Sequence, residues 1–140
     1  MKPVQQTIYD GEHGNCHAAC VASIFELPLH AVPNFQQEGN DFFHDRLIAY
    51  FKPRGWAVLT LSVRCAKEIG LLKFFDGAIG IGDVPSRRLK GKRHSVVVRF
   101  TVDGCEVLHD PCSHVQEKYR PYQADEVEAI DLFVRLDPAA

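Results

Sequence analysis

The order of the hydrophobic patterns constrains this chain more than any other feature. Helical spacing occupies the first third, and strand signals fill most of the remainder. Residues 4–14 read as extended or loop, ending in Asp10-Gly11-Glu12-His13-Gly14. Asn15 stands where an N-cap would, and Cys16 through Glu26 follow as a helix of small apolar residues that Pro28 ends. A second helix is expected over 41–52, with Phe42, Phe43, Leu47, Ile48 and Phe51 at helical spacing and Pro53-Arg54-Gly55 as its stop. Phe42, Phe43, Tyr50, Phe51 and Trp56 are assigned to the core. Trp56–Val63 alternates as a strand, 66–74 reads as a short helix, and Ala78–Ile81 as a short strand. His94–Val102 and Cys105–His109 form a hairpin around the turn signal Asp103-Gly104, and Glu128–Leu136 is a last strand. Helices first and antiparallel strands afterwards give an α+β layout, with N-terminal helices packed on a mainly antiparallel sheet.

The chain has 140 residues, with no repeat or linker, and reads as one domain over 1–140. That length supports a core without a metal or disulfide staple, so no cofactor is implied. Residues 137–140 read as a short tail. A net charge of -2 supplies no global attraction to nucleic acid or membrane, so neither is an expected partner. No apolar run approaches the roughly 18 residues that cross a bilayer. The first residues lack an apolar stretch after Lys2, so a secretory signal is not expected and the cytoplasm is the expected location. Five scattered cysteines, an odd number, suit a reduced protein with a functional thiol better than a disulfide framework.

Cys16 is the thiol whose position suggests chemistry. At the first position of a helix it meets unpaired backbone N–H groups and the positive end of the helix dipole, both of which favour thiolate. A lone cysteine is more often a buried small hydrophobe, the reading given to Cys20, Cys65 and Cys105. His94 opens an apolar strand after a basic loop, where its ring would reach a cleft and exchange a proton with a thiol. Asp110 closes the next strand, just before Pro111, and the hairpin would set it beside His94 to orient the imidazole. A glutamine before the helix, Gln5 or Gln6, would add a side-chain amide to an oxyanion hole. Arg87, Arg88, Lys90 and Lys92, with Arg93, form a basic run that would contact an acidic substrate or a phosphate backbone, or else remain a solvated loop. Gly91 would let that loop act as a lid.

Gly14-Asn15-Cys16-His17-Ala18-Ala19-Cys20, His94-Ser95-Val96-Val97-Val98 and Val107-Leu108-His109-Asp110-Pro111, with Gln6 ahead of them, resemble the papain-like cysteine peptidase superfamily. Within it the pattern is similar to the bacteriocin-processing leader peptidases. It is more similar still to phage and bacterial papain-like proteins in which a segment like Leu27–Phe35 follows the helix. The resemblance implies a papain-like fold and a peptidase or amide hydrolase acting on a peptide or isopeptide bond. It implies Cys16 as nucleophile, His94 as base, Asp110 as orienter and Gln6 as oxyanion donor. The chain departs from the leader peptidases in a longer spacing between Gln6 and Cys16, and in His17 where they carry glycine.

Two other readings use the same residues. His13, Cys16, His17 and Cys20 share one helical face, and His109, Cys112 and His114 form a second cluster of zinc-ligand types, so a zinc-stabilised module is one alternative. A non-catalytic binding protein on the same fold, such as a phage accessory protein that engages a host factor, is the other.

Overall fold

Small side chains put the first helix at the centre of the fold. In the computed structural model, which describes residues 1–37, 41–115 and 118–137, α1 spans Cys16–Phe25 and every residue from Cys16 to Ser23 is buried. A helix apolar on all sides has to be covered on all sides. Ala18, Cys20, Val21 and Ala22 meet Ile81 and Val97 of the sheet and Phe35, Leu47 and Phe51 of the following segments. The N-terminal segment closes another side, with Lys2 N donating to Ser23 O (2.9 Å) and Val4 N to Ser23 Oγ (2.9 Å). Of the expected tail, residues 138–140 lie outside the described residues.

Three α-helices and a five-stranded antiparallel sheet make the described residues an α+β structure. The second helix, α2, is Phe43–Phe51 and buries Leu47 and Phe51. Phe42, expected in the core, is 73% exposed. It precedes the helix in a left-handed conformation (φ 60°) and falls off the 43, 47, 51 stripe that faces inward. The strands are β1 (Trp56–Ser62), β2 (Ile79–Pro85), β3 (Arg93–Thr101), β4 (Gly104–His109) and β5 (Ala129–Arg135), in spatial order β1-β5-β2-β3-β4. The last strand therefore pairs between β1 and β2, inside the sheet.

Three local expectations shift. The helix expected over 66–74 is α3, Val63–Glu68. Ser62 Oγ caps it by accepting from Cys65 N, and Gly70 (φ 68°) ends it before a short 3-10 turn at Leu72–Phe74. Cys65 accordingly lies on a helix and is only half-buried, whereas Cys20 and Cys105 are packed in the core as expected. The strand expected over 78–81 runs on to Pro85. The hairpin tip is Val102-Asp103, with Gly104 already paired to Thr101.

The two sheet faces bury different clusters. Val84, Val96, Val98, Phe100, Ile130 and Leu132 pack together on one side, and Ile81 and Val97 meet α1 on the other. Gly80 and Gly82 of β2 leave room on the first face. A Cβ at Gly80 would strike Asp131 O and lie 2.6 Å from Phe100 Cζ, and one at Gly82 would lie 2.8 Å from Val98 Cγ1. Gly80→Ala is expected to destabilise the protein by about 1–3 kcal/mol through overpacking, read as a lower urea midpoint; an unchanged midpoint would show that β2 relaxes freely.

Candidate active site

A β-bulge brings two of the predicted residues together. Val98 pairs with Val107, but Val97 pairs with His109, so Leu108 is an extra residue in β4. A one-residue shift changes the side of the ladder on which later residues fall. Without it Asp110 would stand opposite Ser95. With it Asp110 follows His109 on the side of His94 and Val96. There His94 Nε2 donates to Asp110 Oδ1 (2.7 Å), and Cys112 N donates to the same oxygen (2.8 Å). Both side chains are buried, and Tyr122 lies against the imidazole with ring centroids 6.0 Å apart.

Cys16 meets this pair from the other side of the cleft. With Nε2 committed to Asp110, Nδ1 is the ring nitrogen left for sulfur, and the imidazole hydrogen-bonds Cys16. Ser95 adds donors from its backbone N–H and its hydroxyl. Burial alone would push this thiol up, but the imidazole and Ser95 together bring it below its ordinary range. For His94, burial acts downward while Asp110 and Cys16 act upward, and the imidazole rises from 6.5 to about 9. Burial also opposes ionisation of Asp110, yet His94 and the Cys112 N–H hold its carboxyl below the usual range. Burial raises the Tyr119 phenol beside it, and Asp110 adds to this, to about 12. The group thus favours a proton on imidazole over a proton on sulfur. Burial has the opposite outcome for Cys20, Cys105 and Cys112, whose thiols it pushes up.

The loop before α1 has a different role from the one its sequence suggests. Asn15 makes no side-chain cap. Its Oδ1 instead accepts from Thr7 N and Ile8 N (2.9 Å each), and its Nδ2 donates to Thr7 Oγ1 (2.9 Å). This clasp holds the 6–8 segment against the helix start. Gly14 permits it, because a Cβ there would lie 2.6 Å from Asp10 O. Gln6 is buried, lines a small cavity of about 30 Å³ with Cys16 and His94, and donates from Nε2 to Ile8 O (2.9 Å). Gln5 is exposed, and its Oε1 is bonded to His114 Nδ1 (3.0 Å). The two glutamines left open by sequence are therefore distinguished by position: Gln6 shares a cavity with Cys16.

On its other side Cys16 opens to a cavity of about 480 Å³, bordered by His17, Thr60, Asp83, Ser95 and Asp131. Of the basic run, Lys92 and Arg93 line this cavity with Gly91, Arg87 and Arg88 line the smaller one, and Lys90 lines neither. Arg87 is held in place, with Nη2 on both Glu126 oxygens (2.9 Å) and its guanidinium 3.7 Å from the Tyr122 ring centre. Arg88 lies over the Tyr9 ring and donates to Tyr9 O. Lys90 and Lys92 are exposed. The residues of the two zinc alternatives are dispersed: His13 pairs with Asp10, Cys16 with His94 and His17 with Asp131, while His109 donates to Val4 O. Among the described residues no group of three or more His, Cys, Asp or Glu side chains is placed to hold a metal.

Sequence reasoning did not reach Ser95, the donors it supplies or the Asn15 clasp. Ser95 carried one signal, its place directly after His94. No family model matches the chain, nor does any curated protein or solved structure.

The thiol shift gives a pH dependence with a definite sign. A depressed pKa keeps thiolate populated as pH falls, so iodoacetamide should label Cys16 at neutral pH ahead of the four other cysteines, declining only on acidification. His94→Ala removes the chief opposing effect and leaves burial, so the labelling midpoint should move up and the rate at pH 7 fall by at least about tenfold. Peptide mapping checks both; faster labelling of another cysteine in the native protein would remove Cys16 from the site.

Proposed function

We propose that this protein is a papain-like cysteine peptidase or amide hydrolase in which Cys16, His94 and Asp110 act as a catalytic triad. The observation that carries the reading is the chain of contacts from the Cys16 sulfur through the His94 imidazole to the buried Asp110 carboxylate. An N-terminal helix opening on a cysteine and an antiparallel sheet delivering a histidine are the layout a papain-like fold requires.

The chemistry follows from the proton's place. Cys16 thiolate attacks the carbonyl carbon, forming a C–S bond while the carbonyl π electrons move to oxygen. The Cys16 backbone N–H, without an intrahelical partner at the first helical position, and the second N–H of the Gln6 amide would receive that oxyanion. His94 imidazolium gives its Nδ1 proton to the leaving nitrogen as the C–N bond breaks, leaving a thioester. Neutral His94 then takes a proton from water as the water oxygen attacks the thioester, and thiolate departs. Asp110 keeps Nε2 protonated and the ring turned toward sulfur throughout. An amine in place of water would make the same steps a transfer, and a side-chain amide as substrate would make them a deamidation. The larger cavity would hold the substrate chain. Lys92 beside it and Arg88 beside the smaller cavity favour acidic residues near the reacting bond.

Wild-type protein incubated with a mixed peptide library should yield cleaved, transferred or deamidated products rich in Asp or Glu near the reaction point, and a thioester mass adduct on Cys16. Cys16→Ala should give none. Gln6→Ala should lower kcat by about 10²–10³-fold with little change in KM, the signature of a lost oxyanion donor. The turnover rate should fall as pH rises through about 9, where His94 loses the proton it donates. A library processed equally by wild type and Cys16→Ala, with no adduct on sulfur, would sink the reading.

A further inference from the structure

His17 takes no part in the steps above, yet it is buried beside Cys16 and tied to the middle of the sheet. Its Nε2 donates to Asp131 Oδ2 (2.8 Å), and Thr60 Oγ1 donates to Asp131 Oδ1 (2.6 Å). The ring is gripped edge-on by Phe35 and Phe43, with centroids 5.8 and 5.0 Å away and both interplanar angles 89°. Asp131 belongs to β5, opposite Thr60 on one side and Ile81 on the other, so its backbone is fixed by two ladders.

The start of α1 needs such an anchor. No side chain caps it, and Asn15 spends its amide on the 6–8 segment. Cys16 and His17 share the first turn, so whatever fixes His17 fixes the depth and rotation of the sulfur. His94 stands on β3, which pairs with β2, which pairs with β5. Sulfur and imidazole are therefore both referenced to one sheet, the first through His17 and Asp131 and the second through its own strand.

We propose that His17 and Asp131 are positioning residues that set the Cys16–His94 separation through a hydrogen bond from the first turn of α1 to the centre of the sheet. This rests on the reading of Cys16 and His94 as the reacting pair. The pair touches no reacting atom and acts through the placement of Cys16. It is the hydrogen bond that positions, so an acceptor without charge at 131 serves as well.

The test measures iodoacetamide labelling of Cys16 in the full chain, at pH 7 and across pH, with thermal unfolding recorded alongside. Asp131→Ala should slow labelling at pH 7 by at least about tenfold and move its midpoint up, because small displacements of a reacting group are enough to lose its contact. Asp131→Asn should label within about twofold of wild type. In a His94→Ala background Asp131→Ala should slow labelling no further, since the contact it serves is already gone. Asp131→Ala labelling at the wild-type rate and midpoint, whatever its unfolding temperature, overturns the proposal. Asp131→Asn as slow as Asp131→Ala, or additive losses in the double variant, does the same. If Asp131→Ala does not fold, Thr60→Val loosens Asp131 by one bond and should slow labelling severalfold; an unchanged rate overturns the proposal. A His94→Ala rate equal to wild type sinks the reacting-pair reading, and this proposal with it. A slow His94→Ala beside a fast Asp131→Ala sinks this proposal alone.

Discussion

The contact on which everything else depends is the close seating of α1 on the sheet. A helix carrying leucine or phenylalanine toward β3 would ride higher, and its first residue would stand off the strand that carries His94. Ala18, Ala19, Cys20 and Ala22 remove that bulk, and Val97 and Ile81 meet them from the sheet. The composition that makes α1 a good helix also makes it a thin one. Its N-terminus therefore arrives where a sulfur can reach an imidazole and the Ser95 donors at once. The packing of large groups is moved elsewhere, to Phe25, Phe51, Trp56 and Phe133, whose rings meet at centroid distances between 5.1 and 5.5 Å.

The second constraint is a count of residues. Had β4 paired with β3 in unbroken register, Asp110 would have turned to the α1 side of the sheet, away from the face on which His94 stands. The extra residue at Leu108 corrects the parity and keeps Leu108 itself packed toward α1. Such a bulge re-aims a side chain at the expense of one ladder position, a common use of these irregularities. It also gives the buried aspartate its partners: beyond the last ladder pair, Asp110 collects the Cys112 N–H and the imidazole N–H on Oδ1.

These two constraints mark what sequence reveals and what it does not. The cysteine at a helix start, the histidine at a strand mouth and the aspartate at a strand end were legible because each depends on local pattern, and the hairpin between the last two spans few residues. The parity that makes His94 and Asp110 face each other was not legible. A bulge is invisible in a run such as Glu106-Val107-Leu108-His109, whose residues suit either register. Asn15 shows a related limit. Its side chain satisfies local cap statistics in principle, but the 6–8 segment offers three partners and wins it. Phe42 failed for a similar reason, since a single left-handed residue before α2 removed it from the stripe it appeared to extend. His17 and Asp131, 114 positions apart, had no sequence signal linking them.

The distribution of unsatisfied groups bears on why this end of the molecule differs from the rest. Buried polar atoms in a folded chain are normally paired, because each unpaired one weakens the fold by an amount of order 1–3 kcal/mol. Here Gln6 Oε1, His17 Nδ1, Arg87 Nε and Nη1 and Asp110 Oδ2 are buried without a hydrogen bond; Gln6, His17 and Arg87 border the two cavities that meet at Cys16, and Asp110 holds the His94 imidazole beside them. The opposite end of α1 is arranged differently: Ser23 Oγ both donates, to Ala19 O, and accepts, from Val4 N. The groups of Gln6, His17 and Arg87 left open lie at the cavities beside Cys16, whereas Ser23 is satisfied within the packed core. The thiolate–imidazolium arrangement lies at the same place. A neutral thiol and a neutral imidazole would avoid the desolvation of two charges, yet the surroundings of Cys16 and His94 are set to favour the charged pair.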